Sequence, residues 1–285
     1  MNMRCYLGDE RVERVGGDDR GLAYGDGLFE TMLASAGTLP WWESHWQRLE
    51  AGARRLRMSL PARAKVESEA MALLDGGGGV LKLIVTRGAG GRGYLPSAIA
   101  APTWVLSRHP LPPPAPAAGL NLRWCDTRLA LQPALAGIKH CNRLEQVLAR
   151  AEWLDAAAPE NEADEGLMRS AEGDVVCATA ANVFVLHGSR WRTPPVDRCG
   201  VAGICRQWLL AALDVEQARL GVEDLYAADA VFLCNAVRGI LPVGRLGSRG
   251  WSAHEQVARL QQQLAGAHAG FSSPAPPSFS SPELP

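Results

Sequence analysis

Lysine is nearly missing from this sequence. Of 29 basic residues only three are lysine, at positions 65, 82 and 139, and the rest are arginine. Arginine keeps its proton at any ordinary pH, whereas a lysine amine can condense with an aldehyde once burial or a neighbour lowers its pKa. A chain that fills almost every basic position with arginine needs a reason for each lysine it keeps. Other shortages exclude whole classes of function. A net charge of −1 gives no field that would draw the chain to nucleic acid or to an anionic membrane. No apolar run approaches the length of a membrane span, and the N-terminus, reaching Arg4, Asp9 and Glu10, becomes charged too early for a secretory signal. The seven cysteines form no CxxC pair and no framework spacing, so reduced thiols in a cytoplasmic setting are expected. No His/Cys cluster has ligand spacing, and no metal site is expected. What is present is 285 residues, 47% of them hydrophobic, ample for one large domain or two smaller ones.

The three lysines have different settings. Lys65, among Arg63, Glu67 and Glu69, reads as part of a solvated helix face. Lys82 lies inside the strand-like run from Val80 to Val85 and is free to point outward. Lys139 follows a loop and precedes a helix start. Asn142 and Glu145 are spaced as an N-cap and N3 pair, and Leu144, Val147, Leu148, Ala151 and Leu154 follow at helical spacing. The amine is thus expected at the mouth of a helix N-terminus, where the positive dipole end disfavours the ammonium. From position alone Lys139 is either a reactive amine or an ordinary exposed loop lysine.

In chain order, residues 3–15 read as a polar hairpin, and glycines at 21, 25 and 27 as a tight turn that also lets backbone approach a ligand. A strand over 28–34 follows, then a helix over 45–56 with Trp46, Leu49, Ala53 and Leu56 on its buried stripe. Arg48 lies beside that stripe, its partner either an anion or a local carboxylate such as Glu43 or Glu50. A second helix over 61–75 and a strand over 80–86 lead into a loop from Arg87 to Tyr94, which sets two guanidiniums and a phenol on a glycine frame. Arginine forks pair with carboxylates, so this loop either binds a substrate acid or is solvated surface. A strand over 103–107 completes an N-terminal unit, 1–108. The segment 109–118, with five prolines, is an extended strap. Beyond it, 119–269 holds a strand over 120–126, the Lys139 loop, a helix to about 156, a polar insertion over 157–164 and a hairpin turning at Glu172-Gly173. Strands over 183–186 and 190–192 precede Gly200 to Arg206, which opens a helix to about 213 whose free N–H groups suit a phosphate. Strands over 229–233 and 240–243 and a helix over 254–267 follow, then a Ser/Pro-rich tail over 270–285 expected to be disordered.

The order of these segments resembles that of the fold-type-IV, branched-chain-aminotransferase-like pyridoxal-phosphate enzymes over about residues 3–265. The resemblance rests on Arg20 to Thr31, His45 to Leu49, Thr86 to Tyr94, Ile138 to Val147, Ala180 to Phe184 and Cys199 to Ile204. It implies an α+β fold of two domains, a smaller N-terminal α/β domain and a larger C-terminal pseudo-barrel domain that binds pyridoxal 5′-phosphate. It further implies a homodimer with the site between the domains, near the subunit interface. Lys139 would hold the cofactor as a Schiff base and shuttle the substrate's proton. Arg48 would bind the cofactor phosphate with the backbone of Gly203, Ile204 and Cys205, and Asn235, Ala236 and Val237 would form the opposite wall. Arg92 and Tyr94 match positions that help hold the substrate carboxylate in related D-amino-acid transaminases, with Arg87 the alternative guanidinium. Phe29 stands where those enzymes carry a tyrosine, and the missing hydroxyl argues against their mode of binding. Cys177 stands where the family usually presents a glutamate to the pyridine nitrogen, and a thiol supplies no counter-charge. Within the family the resemblance is greatest to lyases that convert 4-amino-4-deoxychorismate to 4-aminobenzoate and pyruvate in folate biosynthesis. A D-amino-acid or branched-chain aminotransferase, or an inactive cofactor-binding relative, are the alternatives.

Overall fold

The computed structural model describes residues 3–97, 100–154 and 162–271. The first sheet is built from β1 (Met3–Leu7), β2 (Glu10–Val12), β3 (Gly27–Ala34), β4 (Gly79–Thr86) and β5 (Thr103–His109), in the order β2-β1-β5-β4-β3 and antiparallel throughout. A short helix, α1 (Arg20–Tyr24), precedes β3, and α2 (Trp42–Leu56) and α3 (Arg63–Leu74) lie between β3 and β4. Side chains alternate across a strand, so Leu28 and Met32 of β3 and Leu81 and Leu83 of β4 share the face that packs on Trp46 and Leu49 of α2. Glu30 falls on that same inner face between two apolar residues and is only 2% exposed. The opposite face carries Phe29, Thr31, Lys82 and Ile84, all half-buried, with Thr31 opposite Lys82 and Phe29 opposite Ile84.

Strand β5 runs through His109 into the first residue of the proline segment. The second sheet, curled into a half-barrel, contains β6 (Leu120–Leu129), then, after α4 (Leu144–Ala151), β7 (Glu165–Ser170), β8 (Val175–Ala178), β9 (Asn182–His187) and β10 (Arg190–Thr193). Helix α5 (Ile204–Ala212), β11 (Val215–Gln217), α6 (Val222–Tyr226), β12 (Ala230–Asn235), β13 (Gly239–Leu246), β14 (Arg249–Gly250) and α7 (Glu255–Ala267) complete it. The strand order is β11-β10-β9-β12-β13-β6-β7-β8, with β14 paired to β13. Apolar side chains cover both faces: Val183, Val231 and Leu233 face one cluster, while Phe184 and Phe232 stack against α5 and α7 through Leu209 and Leu260.

Several expectations change. The glycine-marked turn at 20–25 is a helix of one and a half turns, because Asp19 accepts from Gly21 N (2.7 Å) at its start and Gly25, at φ 64°, closes it. The Asn142/Glu145 pair does not cap α4, which starts at Leu144 with Arg143 as N-cap. Asn142 Nδ2 instead donates to Gly25 O (3.0 Å), and Glu145 Oε1 accepts from Ala130 N (2.7 Å). Tertiary partners outcompete the local motif. Helix α4 also ends early, at Ala151, followed by a 3₁₀ turn over Glu152–Leu154. Phe271, expected in the tail, is buried against Trp41 with ring centroids 4.9 Å apart. The remainder of the expected tail, and most of the polar insertion, lie outside the described residues.

Candidate active site

The loop carrying Lys139 is fastened on both sides. Towards the first sheet, Phe29 N donates to Lys139 O (3.0 Å) and Cys141 N donates to Gly27 O (2.9 Å), which extends the edge of β3. Towards the second sheet, Gly137 N donates to Gly200 O and Ala202 N to Gly137 O, both at 3.0 Å. Gly137 adopts φ 82°, a conformation that favours glycine and lets the loop bend between these attachments. The backbone of the lysine loop is therefore held between β3 and the segment that leads into α5.

The residue is half-buried, and its amine is shielded from water. Loss of solvent, then the Arg48 guanidinium, lower its pKa to about 7; Arg143 and Lys82 add to the effect and Glu30 opposes it. Its nitrogen lies 4.2 Å from the centroid of the Phe29 ring, a neutral face for a group that spends much of its time uncharged at neutral pH. The helix dipole expected at this position is not what perturbs it, since α4 begins five residues later.

Beneath Lys139 sits a polar cluster that the sequence reading missed in part. Arg48 is buried, and its partner is Glu30 rather than Glu43 or Glu50. Arg48 Nε donates to Glu30 Oε1 (2.8 Å), Nη2 donates to Glu30 Oε2, and Nη1 donates to Ala202 O (2.9 Å). Glu30 Oε2 also accepts from His45 Nδ1 (2.6 Å). Burial would raise the Glu30 pKa, but Arg48 and His45 outweigh it and hold the carboxyl at about 2. Burial lowers the His45 pKa against the pull of Glu30. A neutral imidazole that donates through Nδ1 leaves Nε2 as an acceptor, and that atom is buried without a partner among the described residues. Glu30 was legible in one respect: a carboxylate alternating in phase with Leu28 and Met32 must find cationic company.

The contact from Arg48 to Ala202 leads directly to the start of α5. Gly203 is the N-cap and no side chain caps the helix, so the first N–H groups, including those of Ile204 and Cys205, remain available to an anion. Asn182 Nδ2 donates to Val201 O (3.0 Å), and a Cβ on Gly203 would come within 2.1 Å of Asn182 Oδ1. Only glycine fits that cradle. On the expected opposite wall, Asn235 Oδ1 already accepts from Val237 N (3.0 Å) and Arg238 N (2.8 Å). Val237 N is thus committed to its own turn, while Ala236 lies within it.

The other residues singled out from sequence separate. Cys177 on β8 is buried, and loss of solvent pushes its thiol up to about 12. The nearby Arg143 donates to His140 O (2.9 Å) and Ile138 O (3.1 Å), and no carboxylate pairs with it among the described residues. Glu165, a carboxylate that perturbs Cys177, already accepts from Gly166 N and Thr179 Oγ1. Arg87 is not free for a substrate: it makes a fork to Asp26 (2.7 and 3.0 Å) and donates to Arg57 O and Leu56 O. Arg92 is exposed, and Tyr94, 86% exposed, meets Tyr24 at a centroid distance of 5.5 Å. Within one chain these two side chains are at the surface. Lys82, by contrast, turns toward the site, with its nitrogen 5.6 Å from the Phe29 ring.

With this geometry in place, known proteins supply the family. A family model described as amino-transferase class IV matches residues 27–246. The chain belongs to the class IV aminotransferase family. Among class IV relatives, the aminodeoxychorismate lyase of Vibrio harveyi is 35% identical over 258 residues, 87% of this chain and 93% of its own. The crystal structure of 4-amino-4-deoxychorismate lyase from Pseudomonas aeruginosa superposes with a TM-score of 0.83 at 43% identity, covering 92% of this chain and 98% of that one. The branched-chain amino acid aminotransferase of Escherichia coli has a TM-score of 0.79 at 19% identity over 97% of each chain, a likeness of fold.

Proposed function

We propose that this chain binds pyridoxal 5′-phosphate and converts 4-amino-4-deoxychorismate to 4-aminobenzoate and pyruvate. The observation that carries the reading is a lysine amine shielded from water, with a pKa near 7, on a loop held between β3 and the segment that leads into α5, in a chain similar to two lyases of that name. The residues present suit the cofactor. An amine that loses its proton near neutrality is ready to meet an aldehyde, and the buried Arg48 with the uncapped α5 start would hold a phosphate. When bound, pyridoxal phosphate supplies an aldehyde for amines and a conjugated ring that spreads negative charge from the adjoining carbon.

The protein's share is orientation and proton transfer. Lys139 Nζ, once released, is the base available to take the proton from the carbon bearing the substrate nitrogen. The same atom, or water, would return a proton to the departing enolpyruvyl group as pyruvate. Aromatisation of the ring left behind supplies much of the driving force. Glu30 fixes the Arg48 fork and, through His45, braces α2 against β3. Phe29 offers a ring face and no hydroxyl, which suits a cyclohexadiene substrate better than a carboxylate.

A homodimer fits the surface: Leu144, Val147, Leu148 and Leu154 of α4 and its following turn are 59–81% exposed, an apolar stripe that a second copy would cover. Leu148→Glu should shift the sedimentation coefficient toward monomer. Seven unpaired cysteines suit a cytoplasmic location, and among the described residues no helix is long and apolar enough to cross a membrane. The deciding experiment incubates purified protein with aminodeoxychorismate and, separately, with D-alanine plus 2-oxoglutarate. Release of 4-aminobenzoate, with a visible absorbance band that Lys139→Ala removes, is the expected result. Borohydride labelling at Lys65 or Lys82 instead would overturn it.

A further inference from the structure

We infer that Lys82 is the carboxylate-binding residue of this site and takes the ring carboxylate of the substrate, an assignment that rests on the reaction proposed above. The substrate carries two carboxylates, one on the enolpyruvyl group beside the amine and one across the ring from it. Once the amine is engaged where Lys139 Nζ now lies, the far carboxylate needs a cation a ring's width away. Lys82 and Lys139 both direct their nitrogens at the Phe29 ring, at 5.6 and 4.2 Å from its centroid. A substrate ring lying beside Phe29 would have both amines as neighbours.

The cation has no counter-charge of its own. Lys82 is half-buried, flanked in register by Thr31 on β3 and Ser107 on β5, both neutral, and no carboxylate pairs with it among the described residues. Lys65 shows the ordinary alternative, paired with Glu69 at 3.1 Å. The guanidiniums that might serve instead are occupied or remote. Arg87 and Arg20 share Asp26, Arg48 is taken by Glu30 and by the phosphate proposed at the start of α5, and Arg92 is exposed. Arg143 lies instead near Cys177, held by the carbonyls of His140 and Ile138. In a chain that otherwise prefers arginine, a compact ammonium here leaves room for a ring where a guanidinium fork would fill it.

The test compares wild type, Lys82→Gln and Lys82→Arg as holoenzymes, using 4-aminobenzoate and its uncharged isostere 4-aminobenzamide as calorimetric probes. A charged hydrogen bond of ordinary strength predicts that Lys82→Gln weakens 4-aminobenzoate binding by about 10- to 100-fold. It should leave 4-aminobenzamide within about twofold and raise KM more than it lowers kcat, and Lys82→Arg should restore part of the acid binding. Equal loss of acid and amide would mean a structural role and overturn the assignment, as would loss of neither, or failure of the wild type to bind the acid. If the wild type released no 4-aminobenzoate from aminodeoxychorismate but Lys82→Gln still selectively lost the acid, the reaction would be wrong and the carboxylate site right.

Discussion

At the Glu30 end of the site a buried carboxylate is met by a guanidinium fork and an imidazole, whereas at the Cys177 end a neutral thiol lies near a guanidinium with which no carboxylate pairs among the described residues. The first end is electrostatically complete without a ligand and supports an anion site through Arg48. At the second end the nearby carboxylate, Glu165, is taken up by Gly166 N and Thr179 Oγ1. Loss of solvent dominates the proton affinity of Lys139, and among the charges around it Arg48 and the opposing Glu30 outrank Arg143. The contrast suggests a division of labour: one end anchors, and the other leaves the bound ring without a stabilising negative charge.

The sharpest way to break this contrast is to remove the group that both ends serve. Lys139→Ala should lower 4-aminobenzoate formation by at least about 10³-fold, the upper range for loss of a general acid–base group, and abolish borohydride labelling of the chain. A variant that kept labelling would transfer the chemistry to another amine. Next comes Glu30→Gln, which leaves Arg48 buried without its counter-charge. Breaking a buried pair from one side costs about 3–5 kcal/mol, so the urea midpoint should fall sharply. Glu30→Gln with Arg48→Met should recover part of that loss, because the second change removes the stranded cation. An unchanged midpoint in the single variant would show that the pair contributes nothing.

A pH titration sharpens the comparison with no substitution at all. Below about 7 the Lys139 amine is an ammonium and cannot attack an aldehyde; above it the free amine predominates. The initial rate of imine formation with added pyridoxal phosphate should therefore rise about tenfold per unit up to pH 7 and level off beyond it. A rise continuing to pH 10, as for a solvated lysine, would contradict the burial of this amine.

How much of this was legible beforehand differs between the same two regions. The fold and the role of Lys139 came from the family resemblance, while lysine scarcity and the loop before α4 only singled that residue out. Glu30 lay inside a segment read only as strand, although its phase with Leu28 and Met32 marks it as buried. Lys82 had two open faces in the sequence, and the register with Thr31 was needed to choose between them. The Asn142/Glu145 spacing misled because a local cap competes with Gly25 O and Ala130 N, which are far away in sequence. For α4 the helical period was readable, but its apolar stripe is exposed, since nothing among the described residues covers it.

The smallest expected effect concerns the thiol. Cys177→Glu would bury a carboxylate near Arg143, converting the neutral end into a charge-paired one like the end at Glu30. Because Arg143 keeps N–H groups beyond its two carbonyl contacts, the new carboxylate has a partner and the protein should fold, at a cost below that of an unpaired buried charge. A negative group there would favour a protonated ring nitrogen in the bound cofactor and a stronger electron sink. Transamination, which must hold charge on that ring in both half-reactions, should gain several-fold with D-alanine as donor. Release of 4-aminobenzoate, helped by aromatisation of its own product, should change by less than about threefold, within the scatter of a single paired substitution. A selective fall in transamination would show that the two ends of the site do not divide the work in this way.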